Sequence, residues 1–227
     1  MKTKLSLLIF MLIVTLSYAQ TFTVDGLNYN VLSSSPNTVE VTGGTVVNPL
    51  IIPSTVLDNG IIYTVTTIGN SAFRNRGVTE VVLPNSITTI DFRAFRDNGG
   101  LTSVTLPTNV VSVGGEAFFN GGLNEIIALG TTPPTINNSS FGTRININVT
   151  VPDGLEETYV SGGWTGFLTM NGLVPIGTNI ESGDLRFRVL SNINSTVEVV
   201  SRIGTAQDII IPETVVSFIG TTYTITT

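Results

Sequence analysis

The chain has 227 residues, with ten Lys+Arg against sixteen Asp+Glu, no histidine, no cysteine and only 11% charged residues. A thinly charged, acidic chain without a basic run is not built to follow a nucleic-acid backbone or an anionic membrane surface. Lacking His and Cys, it has no Ser-His-Asp or Cys-His nucleophile, no zinc site made of those ligands and no disulfide, so core burial alone must hold it together.

Residues 1–19 read as a secretory leader. Lys2 and Lys4 give a positive start, 5–16 is an almost unbroken apolar run, and Ser17-Tyr18-Ala19 supplies the small-x-small pattern of a cleavage site. A membrane span needs about 20 apolar residues, so this run is too short, and the mature chain is expected to carry no membrane span. Lys2 and Lys4 are the only lysines, and eight Arg then face all sixteen acids.

After a predicted β lead-in over 20–64, the sequence becomes periodic. Phe73, Phe95, Phe118 and Phe141 recur at intervals of 22, 23 and 23. Ile68, Ile90, Val113 and Ile136 keep the same step, as do Ala72, Ala94, Ala117 and Ser140, each one place before its Phe. Val81, Val104, Ile126 and Val149 form a fourth column. A period near 22 makes each copy one coil of a solenoid, too small to bury its own apolar side chains and dependent on its neighbours for a core.

Within each copy the β-branched runs, such as 78–83 and 87–90, alternate apolar with polar residues as half-buried strands do. Pro84 and Pro107 end strands, and Gly99-Gly100 and Gly121-Gly122 are expected to make the bends between the Phe turn and the next strand. The array is predicted over 65–142 and its cap over 143–177, with 156–167 covering the last coil. Residues 27–42 then return at 185–200, eight of sixteen positions being identical. Residues 178–227 are therefore expected to be the lead-in of a second array, cut short after 227, with 173–182 as the joint.

The run Leu101-Thr102-Ser103-Val104-Thr105-Leu106-Pro107, followed by 110–118 and its closing Ala117-Phe118, resembles the BspA-type leucine-rich repeat. The ending resembles that family's too, in Thr131-Thr132-Pro133-Pro134 and Val151-Pro152-Asp153-Gly154. Family repeats often place Cys three residues after the Phe, where this chain has Arg76, Asn98 and Gly121. The resemblance implies a mainly β leucine-rich repeat solenoid, secreted or displayed at a bacterial cell surface, that binds an extracellular protein or glycan in an adhesin-like role without a cofactor.

The candidate binding surface is the set of outward columns on the solenoid sheet: Thr79, Thr102 and Asn124; Glu80, Ser103 and Glu125; Val82, Thr105 and Ile127. A second ridge, Arg74, Arg96 and Phe119, follows the Phe column by one residue and is expected to be a solvated turn. The rival reading is a polysaccharide-degrading enzyme on a parallel β-helix, using a pair of carboxylates. Glu80 and Glu125 would then stand two coils apart, about 10 Å at the usual strand spacing. That is at the wide end for an inverting pair and too wide for a retaining one, so no catalytic residue is assigned. No loop alternates oxygen ligands as a calcium site requires.

Overall fold

The computed structural model describes residues 20–172 and, beyond them, 179–182, 185–191, 196–203, 212, 214–217 and 222–225. The leader, most of the proposed joint, and Ile209, Ile211, Thr226 and Thr227 of the second unit lie outside the described residues.

The lead-in is a sheet of alternating strands. Strands β1 (Thr21–Val24), β2 (Leu27–Ser34) and β3 (Asn37–Gly44) run antiparallel in sequence, and β2 meets β3 with register shifts at Asn28/Tyr29 and Val31/Ser33. After β4 (Leu50–Ile51), the hairpin β5 (Thr55–Asp58) and β6 (Ile61–Ile68) returns beside β3, with β6 parallel to it. The far half of β6 is also the first rung of the solenoid, so one strand crosses the expected boundary at 64/65. Thr67 and Ile68 pair in parallel with Thr89 and Ile90 of β8 (Thr89–Ile90), which pairs in turn with β10 (Ser112–Val113).

On the other side of each coil, β7 (Val81–Val82) pairs with β4, while β9 (Ser103–Leu106), β11 (Glu125–Ala128), β12 (Asn148–Thr150) and β13 (Thr169–Met170) form a continuous parallel sheet. The paired stretches are shorter than the sequence runs that contain them: two residues in β7 against the predicted 78–83. Outside the ladder Val78 and Ile87 still point inward and are fully buried.

The four Phe rings stack. Centroids are 5.6 Å apart for Phe73–Phe95, 5.4 Å for Phe95–Phe118 and 5.6 Å for Phe118–Phe141, with interplanar angles of 15°, 10° and 7°. The small column beside them is what lets the turns come this close. Phe73 N–H donates to Ala94 O, Phe95 N–H to Ala117 O and Phe118 N–H to Ser140 O, each at 2.8 Å. Any larger residue in the Ala column would have to push neighbouring coils apart.

The turns hold a departure from expectation. The left-handed positions are not the glycine pairs but Ser71, Arg93 and Glu116 two residues before Phe73, Phe95 and Phe118, and Asn75, Asp97 and Asn120 two residues after them, all with φ between 52° and 63°. Asn and Asp adopt this region at little cost, Arg and Glu less readily. The glycine pairs do lie in bends, with Leu101 N–H closing the 98–101 turn on Asn98 O at 3.0 Å, and they also serve close approach. A Cβ on Gly122 would overlap Gly99 O, and one on Gly100 would meet Thr79 Cγ2 at 2.8 Å.

The cap contains a short helix, α1 (Glu156–Ser161), and then Trp164, whose ring is fully buried 5.6 Å from Phe141. Tyr159 Oη donates to Gly130 O at 2.6 Å and Trp164 Nε1 to Pro134 O at 2.8 Å, which ties the 131–134 turn to the cap. Strand β13 adds one more rung, with Met170 opposite Val149. One core runs unbroken from Leu27 to Met170.

The second unit repeats the lead-in sheet at the level of register. Its strands are β14 (Asn179–Ser182), β15 (Leu185–Ser191), β16 (Thr196–Arg202), β17 (Thr214–Val216) and β18 (Thr222–Ile225). Thr21 opposite Asn30 becomes Asn179 opposite Arg188, and Val56 opposite Tyr63 becomes Val215 opposite Tyr223. Both register shifts recur, at Arg186/Phe187 and Val189/Ser191. Phe187, Val197 and Tyr223 form its own core.

Candidate binding surface

The parallel sheet turns alternate side chains inward and outward. Val104, Ile126 and Val149 are buried, while their neighbours face solvent. Thr79, Glu80, Val82, Thr102, Ser103, Thr105, Asn124 and Glu125 are exposed, and Ile127 is half-buried. Ser103 lies opposite Glu125, and Thr105 opposite Ile127, so two of the expected columns are direct strand partners over these coils. Thr102 O accepts from the Asn124 amide N–H at 2.9 Å, which joins the third.

The outward face extends beyond those nine residues at both ends, into β12 of the same sheet and into the separate two-stranded β4–β7 ladder. Asn148 pairs with Glu125 and Thr150 with Ile127, both exposed. Ile51 pairs with Val82, and these two side chains are 62% and 47% exposed. Sequence reasoning had already placed Val149 in the inward column, and alternation alone assigns its neighbours Asn148 and Thr150 to the outer face. Ile51 carried no such signal, because β4 precedes the periodic stretch. Asn48 fastens that edge: its Nδ2 donates to Gly77 O and its Oδ1 accepts from Thr79 N–H, each at 3.0 Å.

Glu80 and Glu125 are the only charged residues of the nine. The strand partners of Glu125 are Ser103 and Asn148, so no second carboxylate stands in an adjacent rung. The face is flat, its backbone consumed by ladder bonds, and its side chains are Thr, Ser, Asn, Val and Ile with two acids.

The ridge beside the Phe stack is a charge network rather than a row of solvated arginines. Arg74 Nε lies 3.2 Å from Asp97 Oδ2, Arg96 Nε 3.3 Å from the same oxygen, and Arg93 Nε 2.8 Å from Glu116 Oε2, which Arg96 also contacts. Arg96 covers the ring of Phe119 at 5.0 Å and Arg93 that of Phe92 at 4.4 Å. The Asp97 carboxyl is held below its ordinary range, first by the hydrogen bond from Asn120 and then by Arg74 and Arg96. Such an exposed network is bound weakly in energy, but it fixes the orientation of the turn residues.

In each coil, then, a short strand, a Phe turn and a second strand on the other side repeat along one axis, and this arrangement defines a leucine-rich repeat solenoid. Its repeats are of a specific kind: residues 62–161 match the BspA type leucine rich repeat region, in six copies. Solved structures with a related fold include a leucine-rich repeat protein from Bacteroides capillosus ATCC 29799, at 26% identity and TM-score 0.48, covering 58% of this chain and 98% of that one. Another is a leucine-rich repeat protein from Bacteroides ovatus ATCC 8483, at 27% identity and TM-score 0.41, covering 57% of this chain and 40% of that one. The pneumococcal vaccine antigen PcpA is similar at 16% identity and TM-score 0.37, over 78% of this chain and 55% of that one. No curated protein matches the chain.

Proposed function

We propose that this is a secreted or cell-surface binding protein whose outward solenoid sheet covers part of an extracellular protein or glycan, in an adhesin-like role and without catalysis. The observation that carries the reading is the face itself. Its strands are locked by backbone ladders and by the Phe stack beneath, so the outward side chains are held in fixed columns and need little ordering when a partner covers them. Eight of the nine candidate residues are exposed. The leader-like start and the repeat type support a site outside the cell. No helix among the described residues is long and apolar enough to cross a membrane.

The test is direct. The chain is screened against purified extracellular matrix proteins and an immobilised glycan panel, and a hit is retested with a Glu80→Arg, Glu125→Arg double variant. Loss of binding with an unchanged melting curve supports the face. Unchanged binding removes it from the role.

A further inference from the structure

An asparagine followed by glycine is the step of a protein chain most prone to lose its side-chain amide. Glycine has no Cβ, so its backbone nitrogen stands open to the carboxamide carbon of the residue before it. The chain has four such steps: Asn59-Gly60, Asn98-Gly99, Asn120-Gly121 and Asn171-Gly172. In an unfolded chain they are near equivalents, but the fold holds each one differently.

For the reaction to start, the carboxamide must let go of its partners and swing back over the following peptide. Asn98 is buried and held at both ends. Its Oδ1 accepts from the backbone N–H groups of Arg76 at 3.1 Å and Val78 at 3.0 Å, and its Nδ2 donates to Phe73 O at 2.8 Å and Phe95 O at 2.7 Å. Asn171 is also tied at both ends, Oδ1 accepting from Val151 N–H at 2.8 Å and Nδ2 donating to the Glu156 carboxylate. Asn59 is exposed, but Asn59 and Gly60 make up the whole loop between β5 and β6, with Asp58 opposite Ile61 and φ of 47° and 80°. This is the turn that Asn-Gly hairpins favour, and closing a ring within it would unpick the ladder on either side.

Asn120 is the least restrained of the four. It is exposed, its Nδ2 donates across to Asp97 Oδ1 at 3.1 Å, and residues 121–124 after it lie outside every strand. We propose that Asn120 is a self-modification site, at which the backbone nitrogen of Gly121 converts the asparagine into aspartate and isoaspartate. The Gly121 nitrogen bonds to Asn120 Cγ, the Cγ–Nδ2 bond breaks, and ammonia leaves with the proton that the Gly121 nitrogen gives up. The product of this step is a cyclic imide. Solvent water then opens the ring: cleavage of the new Cγ–N bond gives aspartate, and cleavage of the original peptide bond gives isoaspartate. The sum is one amide and one water going to one carboxylate and one ammonium, with no oxidant or reductant.

The product alters the charge network beside it. Asp97 Oδ1 loses the donor that does most to hold its carboxyl below the ordinary range, and a second carboxylate arrives in its place. Asp97 Oδ2 keeps Arg74 at 3.2 Å and Arg96 at 3.3 Å. Loss of a hydrogen bond to the charged form and a like charge close by both raise a carboxyl's pKa, so the Asp97 value moves back up. Isoaspartate also lengthens the main chain by one carbon directly after Phe119, whose carbonyl accepts from Asp97 N–H at 3.0 Å. The change is irreversible and local: it loosens one exposed turn and alters none of the nine sheet-face residues.

The experiment incubates the whole folded chain in mildly alkaline buffer at physiological temperature, beside a sample in urea, and maps both by mass spectrometry over time. Cleavage after glutamate puts each step in its own peptide: 41–80 holds Asn59, 81–116 holds Asn98, 117–125 holds Asn120 and 158–181 holds Asn171. In the folded chain the 117–125 peptide is expected to gain the amide-to-acid mass first, as a mixture of aspartate and isoaspartate at 120, while in urea the four peptides change together. Asn120→Gln, which must close a larger and slower ring, is expected to leave 117–125 unmodified. Asn120→Asp reproduces one product, and a carboxyl-resolved NMR titration should show Asp97 protonating at higher pH in it than in the wild type. Modification at Asn59, Asn98 or Asn171 ahead of Asn120 in the folded chain overturns the assignment. So does an Asn120 lead that persists in urea, since the fold would then not set the order, and an unmoved Asp97 titration removes the effect on the network.

Discussion

The ring of Phe118 lies 5.4 Å from that of Phe95, with the two planes only 10° apart. Phe95 is completely buried and has an equivalent neighbour, Phe73, on its other side. Replacing it with alanine removes contacts in three coils at once. Phe95→Ala is expected to cost about 3–5 kcal/mol and to loosen the adjacent coils, because each coil rests on the next. Phe119→Ala, one residue off the stack and 38% exposed, should stay within about 1 kcal/mol. Denaturant unfolding of both variants checks the contrast.

Asn98 makes the most hydrogen bonds of any buried side chain described here in the array. Asn98→Ala leaves two backbone donors and two acceptors without protein partners, at a cost of about 1–3 kcal/mol. Asn98→Asp is expected to fare no better, since a carboxylate cannot donate to Phe73 O and Phe95 O. Hydrogen exchange should then speed up at Arg76 and Val78 in particular, and unchanged protection there would refute the role.

The cap is held by two side-chain bonds to carbonyls of the 130–134 segment. Trp164→Phe keeps an aromatic ring against Phe141 but leaves Pro134 O unpaired, and should cost about 1–3 kcal/mol. Trp164→Ala also opens a cavity, and about 3–5 kcal/mol is expected. The difference between the two melting curves separates the hydrogen bond from the packing.

Two tyrosines predict an alkaline limit. Burial, with a smaller contribution from the charge of Asp25, pushes the Tyr29 phenol up to about 12, and burial also raises that of Tyr159. A folded value above the unfolded one, about 10, means that the unfolded chain ionises first. Their contribution to stability is whole below pH ~10 and is lost as pH climbs through the folded values. Tyr29→Phe should flatten the fall between pH 10 and 12, and Phe187 already fills the equivalent place in the second unit. With no histidine in the chain, no histidine titration contributes between pH 6 and 8.

Much of the fold was written in residues that repeat. The Phe, Ile and Val columns are set by burial, which acts on residue type and so leaves a periodic trace, and Phe73 to Phe141 stack as the spacing demanded. The duplicated sheet was visible for the same reason. What escaped was chemistry that occurs once. Asn98 looked like a turn residue, since nothing in the sequence says that its carboxamide folds inward. The Arg ridge read as solvent-exposed because the acids that pair with it do not recur in their columns: Asp97 stands in line with Asn75 and Asn120, and Glu116 with Ser71 and Arg93. The glycine pairs do lie in bends, Leu101 N–H closing the 98–101 turn on Asn98 O at 3.0 Å, but the sequence did not show that the left-handed positions fall to Asp97 and Asn120 or that Gly122 lets the backbone of the preceding coil approach. Arg144 stands three residues after Phe141 as Asn98 does after Phe95, yet its side chain serves the cap, donating to Thr165 O at 3.1 Å beside the Phe167 ring.

Among the described residues the two lead-in sheets agree strand for strand, with both register shifts of the second hairpin repeated, while one facing side-chain pair differs: Asn30 with Glu40 in one, Arg188 with Glu198 in the other. A chain that carries the same pairing pattern twice sets its own strands in competition during synthesis, since β15 fits the register of β3 as well as that of β16. Cross-pairing of this sort is a characteristic misassembly of repeated units. Sequence-adjacent hairpins close before distant segments meet, so the order in which the strands emerge guards against exchange between the copies.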